Sequence, residues 1–251
     1  MKKWFVLFVG VFILINGFAL ADDSKLTICY EDNAQCELSA PDGTRVLVDV
    51  FEPNSLSTAA TAKDILLTSH SHSDHMSSEF VQSFPGKQIY IRVGEIKQDG
   101  VYIRSIAASH TPSLKFMNEN GSMYIFLIEI AGFRIAHLGS IGQEKLTPEQ
   151  LEALGKIDIL FAPIYSGFSG MDDVNQYGLN MIDQIHPSIV IPTHQNVDTV
   201  KVAVKRWQGA YIDGTELKIA KSALPQNTQV IFMGPKGRML GKITKVQKAN
   251  Y

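Results

Sequence analysis

The chain has little cysteine and no excess of basic charge: two cysteines, and 23 lysines and arginines against 25 aspartates and glutamates. It therefore lacks the basic surface by which nucleic-acid-binding proteins attract their ligand. Two cysteines alone cannot complete a tetrahedral zinc site, which needs four ligands. No internal repeat, low-complexity tract or linker rich in Pro, Gly or Ser divides the sequence. Residues 22–251 are therefore predicted to form a single domain.

The first 21 residues differ from the rest of the sequence. Lys2 and Lys3 give a short positive start, residues 4–15 form an apolar run, and residues 19–21 read Ala-Leu-Ala. This pattern predicts a signal peptide over residues 1–21, cleaved after its last alanine, and export to the periplasm or the medium. The alternative is an uncleaved membrane anchor, but the apolar run is short against the roughly 20 residues that span a bilayer.

The two cysteines, Cys29 and Cys36, flank a polar turn in the stretch ICYEDNAQCELS. Both lie in short pieces with the character of strands, and exported proteins keep disulfides. We therefore expect a disulfide bridge across this hairpin. Two free thiols are the alternative.

Apolar and β-branched runs separated by turn residues predict the secondary structure. Strands are predicted at 45–51, 64–70, 88–93, 101–109, 157–165, 188–194 and 228–234, with a hairpin over 122–139. Helices are predicted at 147–154, from 172 or 173 to 185, and at 198–207. A strand-rich first half followed by alternating strands and helices predicts an α/β protein with two sheets and helices packed outside them.

The stretch LLTSHSHSDHMS, residues 66–77, concentrates histidine. Three of the seven histidines and one aspartate fall between His70 and His75, directly after an apolar strand. If this loop is extended, His70 and His72 point the same way, with Asp74 nearby and His75 turned to the other side. Imidazole nitrogens and carboxylate oxygens are ligands of zinc and similar divalent ions. The stretch therefore predicts a metal site at the end of a strand.

This stretch resembles the H-x-H-x-D-H signature of the metallo-β-lactamase superfamily, and further landmarks follow in that family's order. VLVDVF resembles an early strand that ends in aspartate, here Asp49; AASHT, IAHLGS and IPTH resemble the third, fourth and fifth motifs. The resemblance covers residues 26–234. The short interval from His70 to His110 makes it more similar to the lactonase-like hydrolases (the L-ascorbate-6-phosphate lactonase group) than to true lactamases. The resemblance implies an αββα four-layer sandwich with metals between the sheet edges.

Carried over by position, the resemblance implies two metal sites. The first would be formed by His70, His72 and His110, and the second by Asp74, His75 and His194. The expected cofactor is Zn2+, as one or two ions. Mn2+ and Fe are alternatives because imidazole and carboxylate ligands suit all three metals.

The fourth motif departs from the family pattern. It reads HLGS, with Ser140 where the family has an aspartate that bridges both metals. A hydroxyl is a poor bridging ligand, so the number of ions stays open, and Glu144 and Asp172 are the acidic substitutes that the sequence offers. His137 is expected to pack or to orient its neighbours. His186, at a predicted helix end, is expected to be an exposed imidazole.

Such ligands imply hydrolysis by a metal-bound hydroxide, with Asp74 as the catalytic residue that orients the nucleophile and passes a proton. Tyr165 is a candidate donor to the developing oxyanion. We expect an exported metal-dependent hydrolase that cleaves an ester, lactone, amide or phosphate ester of a small molecule. The alternatives are a metal-binding protein that lost catalysis through Ser140 and, less favoured, a β-lactamase. We expect no nucleic-acid partner and no membrane anchor after signal cleavage; the oligomeric state stays open.

Overall fold

A computed structural model describes residues 24–98, 100–113, 123–234, 247–249 and 251, and the predicted signal peptide lies outside these ranges. The strands are β1 (Lys25–Tyr30), β2 (Cys36–Ser39), β3 (Arg45–Val48), β4 (Ile65–Thr68), β5 (Lys87–Tyr90), β6 (Gly94–Gln98), β7 (Val101–Ala108), β8 (Met123–Ile130), β9 (Phe133–His137), β10 (Ile159–Pro163), β11 (Ile189–Thr193), β12 (Gln208–Tyr211), β13 (Glu216–Ala220), β14 (Gln229–Phe232) and β15 (Gln247–Lys248). The helices are α1 (Ser78–Ser83), α2 (Pro148–Leu154), α3 (Tyr177–Ile185) and α4 (Val197–Arg206). No helix in these ranges has the length and apolar character needed to cross a membrane.

The described strands form two sheets. The first has six strands in the order β13-β1-β2-β3-β4-β5, and the second has nine in the order β15-β12-β14-β11-β10-β9-β8-β7-β6. In the first sheet β3, β4 and β5 are parallel. In the second, β9, β10 and β11 are parallel, and α2 and α3 provide the long crossovers that parallel neighbours require.

The sheets pack face to face, and the helices cover their outer faces. On β8, Tyr124, Phe126 and Ile128 point into the core shared by both sheets. Ile125 and Leu127 alternate with them and pack against the layer of α2, α3 and α4. A smaller cluster joins the outer face of the first sheet to α1. The resulting helix–sheet–sheet–helix order confirms the predicted αββα sandwich.

Most predicted elements are present, and the local sequence explains their ends. The β8–β9 hairpin turns at Ala131 and Gly132, which have φ of 50° and 75°, as a tight hairpin turn requires. Helix α2 begins after Thr147, whose side chain accepts a hydrogen bond from the N–H of Gln150, and it ends at Gly155 with φ of 61°. Helix α4 begins one residue earlier than predicted. Strands β6, β12, β13 and β15 and helix α1 carry no strong sequence pattern and were not predicted.

Helix α3 starts later than predicted. Asp172 does not cap it, because its carboxylate accepts hydrogen bonds from the N–H groups of Val174 and Asn175, both at 2.9 Å. These bonds form a separate turn, and the helix begins only at Tyr177.

The predicted disulfide between Cys29 and Cys36 is wrong, and both residues are free thiols. Strands β1 and β2 pair with Tyr30 opposite Cys36 and with Cys29 opposite Glu37. Since neighbouring residues on a strand point to opposite faces, Cys36 lies in the core with Tyr30 while Cys29 points away from it. Burial raises the pKa of Cys29 to about 11 and also raises that of Cys36.

We predict that unfolding without a reductant exposes two thiols per chain that react with a maleimide. No bridge can form across the two faces of the sheet, so dithiothreitol should leave Tm unchanged. Mass spectrometry counts the adducts, and a sample reduced before labelling should carry the same number. An unreduced sample without adducts would contradict the register of β1 and β2.

Candidate metal centre

The candidate residues stand just beyond the carboxyl ends of six strands: Asp49 after β3, His70 after β4, His110 after β7, Ser140 after β9, Tyr165 after β10 and His194 after β11. Strand β7 is antiparallel to β8, and β8 is antiparallel to β9, so β7 runs in the same direction as β9. Strands β10 and β11 are parallel to β9 and run in that direction too. The carboxyl ends of strands that share a direction meet at one edge. This shared direction gathers residues that are far apart in the sequence.

All six predicted ligands converge there in two groups. His70, His72 and His110 form the first group, and Asp74, His75 and His194 form the second; in each, the ligand atoms lie within 4.8 Å of one another. The groups adjoin, because the ring centroids of His70 and His75 are 4.1 Å apart. Each of the six predicted ligands is therefore positioned where it could bind a metal ion.

The loop after β4 is a turn, so the extended conformation that would direct His75 away from His70 does not occur. The N–H groups of His75 and Met76 both donate to the carbonyl oxygen of His72, at 2.9 and 3.2 Å. This turn brings His75 back beside His70 instead of directing it away. Nε2 of His75 then lies 3.0 Å from Nε2 of His194. One short loop thereby supplies ligands to both groups.

Asp49 orients His75. Its carboxylate accepts hydrogen bonds from the N–H and hydroxyl of Ser69, both at 2.7 Å, and lies 2.8 Å from Nδ1 of His75. Burial by itself would raise the pKa of Asp49, but the interactions with His75 and Ser69 outweigh it and lower the pKa. The ionised carboxylate keeps the proton on Nδ1, so Nε2 presents its lone pair to the site.

His70 shows that the cluster fits a cation. Its Nδ1 lies 3.0 Å from the hydroxyl of Ser69, and its Nε2 is buried without a hydrogen-bond partner among the described residues. Leaving a buried polar atom unsatisfied costs about 1–3 kcal/mol. A divalent cation held with His72 and His110 would satisfy this nitrogen, since three imidazoles and a water complete a tetrahedral zinc site.

Burial also keeps the imidazoles in the form that binds metals. It lowers the pKa of His70 to about 2 and that of His194 to about 4, with further lowering from His75 in both cases. Burial and the neighbouring His72 likewise lower the pKa of His110. These three side chains are therefore neutral at neutral pH, and a neutral imidazole is the form that coordinates a metal.

A cavity of about 590 Å3 opens over both groups. It is lined by Asn33, Ser71, His72, Ser73, Asp74, His110, Ser140, Tyr165, Ser166, Gly167, Phe168, His194 and Gln195. Its volume is in the range of small-molecule sites.

A profile of the Beta-lactamase superfamily domain matches residues 27–194, more than half of the chain. The chain belongs to this superfamily. No curated protein sequence matches it.

Three solved structures illustrate the similarity. A candidate zinc-dependent hydrolase of the metallo-β-lactamase superfamily from Thermotoga maritima is 22% identical, with a TM-score of 0.62 over 83% of this chain and 98% of that one. A candidate metal-dependent hydrolase from Parabacteroides distasonis is 17% identical, with a TM-score of 0.56 over 82% and 93%. Igni18, a metallo hydrolase from Ignicoccus hospitalis, is 20% identical, with a TM-score of 0.50 over 68% and 83%. At these identities the likeness shows the metallo-β-lactamase fold, as predicted.

The fourth motif of this metallo-β-lactamase fold contributes no carboxylate. Ser140 is 6% exposed and lines the cavity, but it belongs to neither ligand group. Neither of the acidic substitutes takes its place among the described ligands. Glu144 is exposed and accepts a hydrogen bond from the hydroxyl of Tyr177, and the carboxylate of Asp172 is used in its own turn.

Gly142, two residues further on, allows the fourth-motif loop to reach His110. Its N–H donates to the carbonyl oxygen of Ser109 at 2.9 Å. A Cβ at this position would lie 2.2 Å from the carbonyl oxygen of His110, so any larger residue would displace one of the two loops. We did not predict this role, because the close approach depends on how two distant loops pack.

The two remaining histidines lie outside the ligand groups. His137 is fully buried; its Nε2 donates to the carbonyl oxygen of Ala34 at 2.8 Å and its Nδ1 accepts from the N–H of Gly139 at 3.2 Å. It therefore fixes the start of the fourth-motif loop, as the expected orienting residue. His186 is exposed at the end of α3.

Several residues of the cavity wall were not predicted from the sequence. Asn33, Phe168 and Gln195 line the cavity, but no ligand spacing marks them. Phe168 has the clearest signal, a second aromatic residue after Tyr165 within the glycine- and serine-rich stretch YSGFSG.

We predict that Asp49→Asn lowers the affinity for Zn2+ by about ten- to a hundred-fold. Asn tolerates the left-handed backbone of this position, where φ is 50°, so the change alters the carboxylate without straining the backbone. The amide N–H2 would face Nδ1 of His75 and favour the tautomer with its proton on Nε2. A competition titration with a chromophoric chelator measures the affinity.

The matched control is Asp198→Asn, an exposed carboxylate on α4, which should bind Zn2+ like the wild type. If both variants keep wild-type affinity, Asp49 does not control the tautomer of His75.

Proposed function

We propose that this chain is an exported, metal-dependent hydrolase of small molecules, of the lactonase-like type. The observation that carries the proposal is the convergence of five imidazoles and one carboxylate beneath an open cavity of the metallo-β-lactamase fold. Hydrolysis of an ester, lactone, amide or phosphate ester is the chemistry that such a site serves. The signal-like first 21 residues support export to the periplasm or the medium.

The two groups would each hold one cation, preferably Zn2+, with Mn2+ or Fe as alternatives. His70, His72 and His110 would form one site, and Asp74, His75 and His194 would form the other. When bound, such a cation supplies Lewis acidity, which polarises the scissile group and lowers the pKa of water. The side chains of the protein must orient the substrate, transfer the proton and stabilise the negative charge that develops on the substrate.

Asp74 is the residue that we assign to proton transfer. Its side chain is 48% exposed and lines the cavity, whereas the neighbouring side chain of His75 is fully buried. A carboxylate at the cavity wall can orient a water molecule through one oxygen, accept its proton and pass that proton to the leaving group.

Tyr165 is the donor that we assign to the developing oxyanion. Its backbone N–H donates to the carbonyl oxygen of His194 at 2.7 Å, which fixes it beside the second group. Its side chain lines the cavity, so its hydroxyl can donate a hydrogen bond to a substrate there.

A second candidate function follows from Ser140. Because the family's bridging aspartate is replaced by a neutral hydroxyl, the protein is alternatively a metal-binding protein of the same fold that has lost catalysis. In that case the site binds its cation through the same residues, but the protein does not hydrolyse a substrate in the cavity.

We predict that the zinc-loaded protein hydrolyses at least one member of a panel of lactones, esters, amides and phosphate esters, with nitrocefin included as a β-lactam. EDTA should abolish turnover, and Zn2+ or Mn2+ should restore it. His72→Ala should remove turnover, because it takes one ligand from the first group. His186→Ala, which changes an exposed histidine at a helix end, should have no effect. A fully metal-loaded protein without turnover on the panel would favour the metal-binding protein.

We predict that Ser140→Asp binds a second equivalent of Zn2+ more tightly than the wild type does, because it adds a negative charge to the cavity wall. Ser140→Asn introduces a side chain with the shape of Asp but without its charge, so it should not bind the second equivalent more tightly. Elemental analysis after dialysis at limiting metal measures the occupancy. Equal occupancy in the two variants would show that this side chain does not face the cations. Activity that appears only in Ser140→Asp would identify a protein that lost catalysis through this serine.

A further inference from the structure

Phe168 is the most exposed large apolar side chain among the described residues, with 87% of its surface open to solvent. It lines the cavity, and its ring centroid lies 5.6 Å from that of His72 and 6.1 Å from that of His110. An aromatic ring is therefore held at the mouth of the cavity, beside the first ligand group. An apolar group of a ligand that covered this ring would remove apolar surface from water, which is favourable.

The position of this ring is set by the backbone. Ser166 and Met171 exchange two backbone hydrogen bonds of 2.9 Å, which close a short turn with Phe168 at its tip. Met171 is fully buried and anchors one side of the turn, and Gly170 supplies the positive φ, 66°, that the turn needs. The ring is thus presented by a closed turn whose base is fixed in the core.

The rest of the cavity wall is polar but carries few charges. Ser71, Ser73, Ser166, Asn33 and Gln195 provide neutral hydrogen-bonding groups, and Asp74 is the acidic residue among the lining side chains. No lysine or arginine lines the cavity within the described ranges. Arg and Lys are common side-chain partners of substrate phosphates and carboxylates. The described side chains of the wall therefore offer partners for neutral polar groups, and an anionic group would be bound chiefly by the cations.

We propose that Phe168 contacts an apolar group next to the scissile bond, and that the substrate is an uncharged lactone or carboxylic ester carrying such a group. The proposal rests on the hydrolase function proposed above and narrows its substrate class. An aromatic or alkyl group next to the scissile bond would cover the exposed face of Phe168, while the neutral polar wall would hydrogen-bond to the ester oxygens.

The experiment compares γ-butyrolactone with γ-phenyl-γ-butyrolactone, which has the same ring with a phenyl group beside the scissile oxygen. Hydrolysis by zinc-loaded protein is followed with a pH indicator. Phe168→Ala should lower kcat/KM for the phenyl lactone by about tenfold, mainly through KM, and change that for γ-butyrolactone by less than about twofold. Phe168→Leu should retain part of the preference. 4-Nitrophenyl phosphate should be a poorer substrate than the phenyl lactone.

Val174→Ala is the matched control. Val174 is 84% exposed and follows in the same segment, but it does not line the cavity, so its removal should leave both lactones unaffected. The zinc content and Tm of each variant are measured, because the ring of Phe168 also neighbours two ligands. Calorimetric titration of the phenyl lactone into chelator-treated protein measures the contact without turnover, and Phe168→Ala should weaken that binding by a similar factor.

The outcomes separate this inference from the function on which it rests. Turnover of phosphate esters in preference to both lactones would overturn the inference and leave the hydrolase standing. Equal losses for both lactones in Phe168→Ala, or the same loss in Val174→Ala, would overturn the role of Phe168. An absence of turnover on every compound would overturn the hydrolase, whereas binding that depends on Phe168 would still support the contact.

Discussion

The packing of imidazoles around the buried His70 and His75 is the constraint on which this end of the molecule depends. Five histidines lie in two adjoining groups, and a positive charge on one ring disfavours a positive charge on the next. The fold holds them through the hydrogen bonds of Asp49 and Ser69. Asp49 aligns His75, and the hydroxyl of Ser69 occupies Nδ1 of His70. Because Nδ1 of each ring is hydrogen-bonded, Nε2 of His70 and Nε2 of His75 are the atoms that can bind a cation.

Holding this arrangement requires strain at the ends of the strands. Asp49 and His194 have φ of 50° and 39°, in the left-handed region that residues with side chains rarely adopt. Both follow strands of the two-sheet core directly, and both carry groups that point into the site. The core between the sheets thus stabilises backbone conformations that are unfavourable by themselves, and Gly142 permits the close contact of its loop with His110.

The two sides of the cavity differ in the chemical groups that line them. The inner side provides imidazoles and the carboxylate of Asp74, and its fourth-motif position is the neutral Ser140. The outer side provides hydroxyl and amide groups, with one exposed aromatic ring, Phe168. A site built in this way relies on cations for its positive charge, while the described part of the wall supplies hydrogen bonds and one apolar contact. In the function proposed above, cation binding belongs to the inner loops and substrate choice to the loop that follows β10.

Local sequence by itself determined the predicted strands and the cluster of possible ligands from His70 to His75, and the resemblance to the superfamily added His110 and His194. The apolar runs, the H-x-H-x-D-H stretch and the histidines placed after strands depend only on neighbouring residues, so they can be read along the chain. The register of β1 with β2, which separates Cys29 from Cys36, was decided by tertiary structure. So were the role of Asp49 and the cavity wall with Phe168, which depend on contacts between segments distant in the sequence. The turn that brings His75 back to His70 and the turn before α3 are local, but no residue pattern marks their hydrogen bonds. In the β1–β2 pair, a shift of one residue in register reverses the face on which a side chain lies.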